Sequence, residues 1–176
     1  MQYKVREGRC ADPIKLATNV TAVYEAEAGS YDSSSKTSNN NHGASGDAFV
    51  DMGGRESWVQ FDSVHGGWSS GTCTLSFRYA NGGSTARPCD IIVNGENIGT
   101  VSFSPTSAWN SWSSEAIKTS CISGSNVIRV SAATDWGGPN LDSLAFSKES
   151  GSGESQPSGT VTLNDFVVPI EWDGMP

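Results

Sequence analysis

The chain has 176 residues, with 11 Lys and Arg against 19 Asp and Glu, and a net charge of −8 at pH 7. This acidic balance argues against a nucleic-acid partner, because such affinity comes largely from Lys and Arg that neutralise phosphates. No apolar run approaches the roughly 20 residues needed to span a bilayer, so we expect no membrane partner. Residues 1–4 do not open a signal peptide, and we therefore expect a chain cut from a larger precursor.

The composition favours short strands and an oxidising compartment. The 20 glycines and the lack of any long Leu, Ala, Glu and Lys stretch indicate many turns and no amphipathic helix. The four cysteines, Cys10, Cys73, Cys89 and Cys121, lack CxxC spacing, which argues against a zinc site. One or two disulfides fit a surface rich in Ser, Thr and Asn, so we predict a secreted, extracellular protein.

The predicted domain begins with two carboxylates close in sequence, Glu25 and Glu27. Residues 1–21 show mixed charge and no alternation, which predicts an arm or linker before a domain at residues 22–148. A strand at the domain's start would send both carboxylates to one face, with their Cβ atoms about 6.6 Å apart. Like charges that close repel unless a cation lies between them, so we predict shared metal ligation. The alternative is a solvated edge strand whose charges block pairing with other chains.

The rest of the domain alternates between strands and turns. Residues 29–46 are predicted to be a loop, because their Ser and Asn side chains compete with backbone pairing. Alternating apolar residues then predict strands at residues 48–52, 58–61, 73–81, 90–93, 101–103, 127–132 and 141–146. The clearest of them has a predicted buried face of Cys73, Leu75, Phe77 and Tyr79. About nine short strands and no helix predict an all-β fold, an antiparallel two-sheet β-sandwich.

The C-terminal residues 149–176 are predicted to lie outside this domain. Their first part is rich in Gly and Ser, which is typical of a flexible linker. The tail that follows holds one further apolar segment, which either begins the next module or docks on this one.

Two tryptophans lie three residues apart, at Trp109 and Trp112. In a strand they would point to opposite faces, so we predict that one is exposed and the other buried. We assign exposure to Trp109, which lies next to a loop, and core packing to Trp112. The alternative for Trp109 and for Trp136 is core packing, since Trp is often buried.

A turn precedes the last predicted strand in residues 136–142. Two glycines and a proline there permit and stiffen a tight backbone turn. Such a turn would present Trp136 and Asn140 outward and Asp142 toward a group that needs a carboxylate. We therefore predict a sugar-binding lip beside a metal site.

Six short motifs, in order and spacing, resemble the carbohydrate-binding modules of family 6 and the related family 35. They are Tyr24-Glu25-Ala26-Glu27, Phe77-Arg78-Tyr79-Ala80-Asn81-Gly82, Val93-Asn94-Gly95, Trp109-Asn110-Ser111-Trp112, Gly124-Ser125-Asn126-Val127-Ile128-Arg129 and Asn140-Leu141-Asp142. The resemblance covers roughly residues 23–147. It implies a jelly-roll β-sandwich with a structural calcium and a sugar cleft built by loops at one end.

The resemblance also implies roles for individual residues. The side-chain ligands of the Ca²⁺ would be Glu25, Glu27 and Asp142, an oxygen set that suits this ion. The carbohydrate-binding residues would be Phe49, Asn81, Trp109, Trp136 and Asn140. Phe49 stands where many relatives have a stacking tyrosine, so the ring face is kept and a hydroxyl is lost. A pyranose has an apolar face that packs on an aromatic ring and a rim of hydroxyls that needs amides.

The strand order of the resembled fold bears on the disulfides as well. It implies that the strand from Cys73 lies next to the strand that ends at Cys121, which favours a bridge between these two. A hairpin between consecutive strands would instead pair Cys73 with Cys89.

Three functions remain open at the level of the sequence. We expect a monomeric, non-catalytic module. It would be covalently linked to the catalytic domain of a secreted carbohydrate-active enzyme and would target that enzyme to a polysaccharide. A hydrolase would need two free carboxyls about 5–10 Å apart, and the first two candidates, Glu25 and Glu27, are the predicted metal ligands. A lyase would need only one well-placed base. His42 and His65, the only histidines, lie in no nucleophile motif. The third reading is an adhesive sandwich without a sugar ligand.

Overall fold

A computed structural model describes residues 22–40, 42–66, 71–121 and 123–148 of the chain. The predicted arm at 1–21 and the predicted linker and tail at 149–176 lie outside these described residues. Within them the chain forms strands, one 3₁₀ turn at Ser45–Asp47 and no α-helix, and thus no helix long and apolar enough to cross a membrane. The described strands are β1 (Ala22–Glu25), β2 (Ser30–Tyr31), β3 (Lys36–Ser38), β4 (Phe49–Asp51), β5 (Trp58–Gly66), β6 (Thr72–Ala80), β7 (Arg87–Val93), β8 (Glu96–Phe103), β9 (Ser113–Ser120), β10 (Gly124–Ala132) and β11 (Asn140–Lys148).

The strands form two antiparallel sheets that pack face to face, which confirms the predicted β-sandwich. One sheet has the order β3-β4-β11-β6-β9, and β1 also pairs with β11. The other has the order β2-β5-β10-β7-β8. Every pair is antiparallel, and one face of each sheet packs on the other. Residues 140–144 of β11 are buried on both faces.

The core lies between the sheets and is supplied by alternating positions of the longer strands. On β6, the predicted buried face is confirmed, because each of its four members is at most 1% exposed. Phe77 and Tyr79 of that face contact Phe103 of the opposite sheet, with ring centroids 6.2 and 4.8 Å apart in edge-on geometry. These aromatic contacts fasten the two sheets to each other.

A disulfide joins Cys73 to Cys121, as the family resemblance implied. The register of β6 on β9 brings the two cysteines together, since Cys73 is opposite Thr119 near the end of β9. Closing a loop of this length stabilises the fold by about 4 kcal/mol. Cys89 lies in the other sheet as a buried free thiol, and burial, followed by the Asp90 carboxylate, raises its pKa to about 12. Cys10 lies outside the described residues.

Several strand predictions are wrong in their bounds. The predicted loop at 29–46 contains β2 and β3, which exist because they pair with β5 and β4. Trp109 and Trp112 lie in the loop before β9 and not in a strand, so the argument from opposite strand faces does not apply to them. β1 ends at Glu25, and Glu27 follows in a turn closed by a hydrogen bond from Gly29 N to Ala26 O of 3.1 Å.

The last strand contains a bulge near its start. The pairing of β11 with β6 shifts between Leu141 and Ser143, so Asp142 is the extra residue. As a result Leu141 and Leu144 share the core face, although they are three positions apart, and both are fully buried. The strict alternation predicted for residues 141–146 is therefore wrong at this point.

Candidate functional site

The start of β11 positions two groups of polar side chains. Asn140 pairs with Asp51 of β4 and with Ala80 of β6, so it sits between two neighbouring strands. Asp142, two residues further on at the bulge, is fully buried. Asn140 lines an open cleft, and Asp142 belongs to a cluster of carboxylates.

The carboxylate cluster consists of Glu25, Glu27 and Asp142, and it surrounds the Ser45–Asp47 turn. The Ser45 hydroxyl lies 2.7 Å from a Glu25 oxygen and 2.7 Å from an Asp142 oxygen. A hydroxyl has one proton and can donate to only one of them at a time. The backbone N–H of Ser45 donates to the other Asp142 oxygen at 2.9 Å. Two of the predicted metal ligands, Glu25 and Asp142, therefore face each other across the Ser45 hydroxyl.

Glu27 is the least satisfied member of the cluster. Its Oε2 atom is buried and has no hydrogen-bond partner. Burial raises the pKa of Glu27 above its ordinary value, and the negative charges of Glu25 and Asp142 raise it further, against a backbone hydrogen bond that lowers it. A Cβ on Gly46, whose φ is +60°, would lie 2.7 Å from Glu27 Oε1, so the glycine leaves room for this carboxylate.

One cation reaches this cluster from the side. Arg78 Nη1 donates to Asp142, and Arg78 Nη2 donates to the Gly43 carbonyl at 2.7 Å. The same guanidinium lies 5.0 Å from the centre of the Trp112 ring. Among the described residues, no three His, Cys, Asp or Glu side chains stand in position to hold one metal ion. The structure thus brings the predicted ligands together without arranging them around a single point.

The cleft beside the cluster has a volume of about 380 Å³. It is lined by residues from five parts of the chain, namely Asn40, Phe49, Asp51, Arg87, Trp109 and Asn140. Three of these, Phe49, Trp109 and Asn140, are predicted sugar contacts. The other three, Asn40, Asp51 and Arg87, were not predicted as sugar contacts. For Asp51 the sequence contains a signal, because a strand sends residues two apart, such as Phe49 and Asp51, to the same face.

Trp109 forms an accessible wall of this cleft. Its side chain is 39% exposed, as predicted for this residue. The Arg87 guanidinium stacks on one side of the indole at 5.0 Å from the ring centre. The backbone passes so close at Gly82 that a Cβ there would lie 2.5 Å from the indole. Asn140 Nδ2 donates to the Trp109 carbonyl at 3.3 Å. The ring is thus held from several sides and still open to a ligand.

Phe49 forms the floor of the cleft, and Trp112 packs behind it. Phe49 is only 1% exposed and meets the Trp112 ring edge-on, with centroids 5.6 Å apart. Trp112 donates its indole N–H to the His42 carbonyl at 3.1 Å and lies under Arg78. Trp112 is half-buried and lies behind this floor, so the prediction that it packs in the core between the sheets is wrong.

Two predicted sugar contacts lie apart from the cleft. Asn81 is fully buried, and its amide donates to the carbonyls of Thr85 and Phe103, both at 2.9 Å, and accepts from Gly83 N at 3.1 Å. It shapes the turn after β6 and does not reach the cleft, so its predicted role is corrected to a structural one. Trp136 is 67% exposed and is not among the lining residues.

Comparisons with known proteins agree with this architecture. A family model described as the CBM13 domain of an alpha-galactosidase matches residues 59–145. The structure of a family 35 carbohydrate-binding module from Clostridium thermocellum is 34% identical, with a TM-score of 0.66 over 72% of this chain and 96% of that one. The family 35 module from Paenibacillus barcinonensis is 27% identical, with a TM-score of 0.67 over 73% and 99% of the two chains.

Larger proteins contain a region similar to this chain. Endo-1,4-beta-xylanase B of Cellvibrio japonicus is 35% identical over 125 residues, and alpha-L-arabinofuranosidase C of that organism is 34% identical over 125 residues. Each match covers 70% of this chain but only 21% and 20% of those relatives, so the chain spans about a fifth of their length.

The two-sheet sandwich and these relatives together define a carbohydrate-binding module. The chain belongs to the family 35 type of these modules.

Proposed function

We propose that the chain is a non-catalytic module that binds a polysaccharide in the cleft, with a sugar ring on Trp109 and its hydroxyls at Asn140. The observation that supports this most directly is a 39% exposed indole, held on a cleft wall beside an amide side chain. The apolar face of a pyranose packs on such a ring, and an amide both donates to and accepts from hydroxyls. Phe49 is nearly covered, so it shapes the floor and offers little face for stacking.

The charges in the cleft favour binding over catalysis. Among its lining residues only Asp51 has a carboxylate, and Lys36 lies 3.5 Å from that group. Hydrolysis through paired carboxyls needs two of them on either side of the scissile bond. The three other carboxylates discussed above surround the Ser45–Asp47 turn, where they repel one another.

A structural calcium is the second part of the proposal. Glu25, Glu27 and Asp142 would hold it after their side chains turn toward one point, since they already lie together and all of them offer the oxygen atoms that Ca²⁺ prefers. Two observations support a cation at this place, namely the buried Glu27 oxygen without a partner and the raised pKa of Glu27. Calcium would supply that charge, and Arg78 already neutralises Asp142 from the other side.

The wider setting is proposed from the relatives. They are named as a xylanase, an arabinofuranosidase, an exo-beta-D-glucosaminidase and a cycloisomaltooligosaccharide glucanotransferase, and each is far longer than the matched region. We therefore place this module beside a covalently linked catalytic domain in a secreted enzyme. Because the relatives differ in their named substrates, the polysaccharide has to be found by experiment.

Affinity electrophoresis of the full 176-residue chain tests the cleft. The gels contain β-1,4-xylan, β-1,3-galactan, α-1,6-glucan or chitosan, and at least one is expected to retard the wild type without release of reducing sugar. Trp109→Ala should remove the retardation, because an aromatic anchor that the ligand buries contributes about 2–4 kcal/mol to binding. Trp58→Ala is the matched control, since that indole stacks on Arg129 in the other sheet. Equal retardation of the Trp109 variant and the wild type would refute the assignment.

Thermal unfolding tests the calcium. A cation that binds only the folded protein raises its melting temperature, so EDTA should lower the melting temperature and added CaCl₂ should restore it. In Glu27→Gln this response should shrink, because one ligand charge is lost. A melting temperature that is the same in EDTA and in CaCl₂ would remove calcium from the proposal.

A further inference from the structure

Arg78 is the cation that reaches the carboxylate cluster, through its pair with Asp142. On β6 it lies between Phe77 and Tyr79, and because these two point into the core, strand alternation sends Arg78 to the opposite face. A guanidinium paired with a buried carboxylate is ordinary and by itself shows no more than an ion pair. What distinguishes this one is how firmly it is held and how much negative charge remains beside it.

Three contacts hold the Arg78 guanidinium in place. Its Nη1 donates to Asp142, its Nη2 donates to the Gly43 carbonyl at 2.7 Å, and its centre lies 5.0 Å from the centre of the Trp112 ring. The Arg78 side chain is 34% exposed, whereas Asp142 is fully buried. The positive charge is therefore fixed beside Asp142 by contacts that do not involve the other two carboxylates.

The charges of the cluster are divided unevenly. One oxygen of Asp142 accepts from the Ser45 N–H at 2.9 Å, and the other lies within reach of Arg78 Nη1 and of the Ser45 hydroxyl. The Glu27 Oε2 atom is buried and has no partner. Three carboxylates against one guanidinium leave two negative charges unbalanced, which one divalent cation would neutralise. Without the guanidinium, all three would attract such a cation.

We infer that Arg78 is a built-in counter-cation that lowers the calcium affinity of the cluster and replaces part of the calcium charge when calcium is scarce. This inference rests on the calcium part of the proposed function. Affinity for Ca²⁺ follows the charge of its ligands, so a fixed positive charge beside Asp142 weakens calcium binding. The same charge neutralises a buried carboxylate without any metal, so the domain stays folded at calcium concentrations too low to fill the site.

The calcium affinity of two variants of the full chain tests this inference. Arg78→Gln keeps an N–H donor but removes the charge, whereas Arg78→Lys keeps the charge. Competition with a fluorescent calcium chelator measures the affinity of each protein for calcium. Arg78→Gln should bind calcium about tenfold more tightly than the wild type, and Arg78→Lys should stay within about twofold of it.

Thermal unfolding gives a second readout. In EDTA, Arg78→Gln should melt below the wild type, because Asp142 has lost its cation. In saturating CaCl₂ this difference should shrink, since tighter binding to the folded protein stabilises the variant more. A purely structural role would lower the melting temperature equally in both. Arg129→Gln is the matched control, because Arg129 also stacks on a tryptophan but bonds to Gln60, so its calcium affinity should equal that of the wild type.

The outcomes separate this inference from the calcium assignment. If the wild type binds no calcium and melts at the same temperature in EDTA and in CaCl₂, the calcium assignment fails and the inference fails with it. If the wild type binds calcium but Arg78→Gln binds it no more tightly, or both Arg78 variants gain equally, only the role of Arg78 is wrong. An Arg78→Gln protein that is unfolded in saturating CaCl₂ as well as in EDTA would also overturn it, because calcium should replace the missing charge.

Discussion

The carboxylate cluster and the cleft start from the same strand, two residues apart, and differ in almost every physical respect. In the cluster Asp142 is fully buried and its oxygens accept from Ser45 and Arg78, while a Glu27 oxygen is buried without a partner. In the cleft Trp109 is held by its neighbours but remains open to solvent. From this difference we propose that the cluster governs the stability of this end of the sandwich and that the cleft governs affinity. A substitution in the cluster should therefore leave sugar affinity unaltered, and a substitution in the cleft should leave stability unaltered.

Asp142→Asn should have the largest effect, and on stability. The change leaves the Arg78 guanidinium without its carboxylate partner and weakens both bonds from Ser45, which should cost about 3 kcal/mol of unfolding free energy. Urea unfolding of the full chain measures it. The matched control is Asp51→Asn in the cleft, whose pair with Lys36 is exposed and worth under about 0.5 kcal/mol. Equal stability losses in the two variants would contradict the division between the regions.

Arg87→Met should have the next largest effect, and on affinity. It removes the stack on Trp109 and the bonds that hold the Trp136 segment, so polysaccharide affinity should fall about tenfold, or 1.4 kcal/mol. Arg129→Met is the control, because Arg129 stacks on Trp58 at 4.2 Å in the other sheet. Affinity gels compare the two. A similar loss in both variants would mean that general loosening, and not the cleft, explains the effect.

Gly46→Ala should cost about 1 kcal/mol of stability, because alanine is strained at its φ of +60°. Gly95→Ala is matched for the positive φ, at +89°, and its added Cβ meets no atom within 4 Å. The two variants should lose similar stability in EDTA. Only Gly46→Ala should also respond less to CaCl₂, because its new Cβ displaces the Glu27 carboxylate. Equal responses of the two variants to CaCl₂ would contradict the proposal that Glu27 is a ligand of the metal.

The smallest effect is a pair of opposite pH dependences in EDTA. The raised pKa of Glu27 means that the folded protein holds this proton more tightly, so the stabilisation is complete below pH 4.5 and is lost as pH rises through the raised value. Burial opposes ionisation of Asp32, but hydrogen bonds from Ser34, Ser35 and Trp58 hold its pKa at about 2. Its stabilisation is present above pH 3.8 and is lost as pH falls through about 2.

Urea unfolding of Glu27→Gln and Asp32→Asn across pH 2 to 8 measures these two contributions. The first variant should flatten the profile above pH 4.5, and the second should flatten it below pH 3.8. A wild-type profile that does not fall above pH 4.5 would contradict the burial of an unpaired Glu27 carboxylate.

The sequence predicts those parts of the fold in which the residue pattern of a single strand shows which of its faces is buried. The alternation of β6 is such a case, because its core face needs no knowledge of its neighbours. β2 and β3 have two and three residues, too few for a periodic signal, and they exist only through pairing. The bulge at Asp142 is a property of the β11 and β6 register, which the sequence of one strand does not contain.

The candidate site follows the same rule. The family motifs predict Trp109 and Asn140, and the structure places both on the cleft. Arg87 reaches the cleft from the start of β7 in the opposite sheet, so its position depends on how the two sheets assemble. Asn81 shows the converse error, because the motif identifies an important residue, and its buried amide holds a turn instead of a sugar.

The most direct test of the division between cluster and cleft is the melting temperature of the wild type and of Trp109→Ala, each in EDTA, in CaCl₂, and in CaCl₂ with the polysaccharide that retards the wild type. Calcium should raise the melting temperature of both proteins by the same amount, and the polysaccharide should raise only that of the wild type. If the polysaccharide stabilises the Trp109 variant as much as the wild type, the cleft described here is not where the sugar binds.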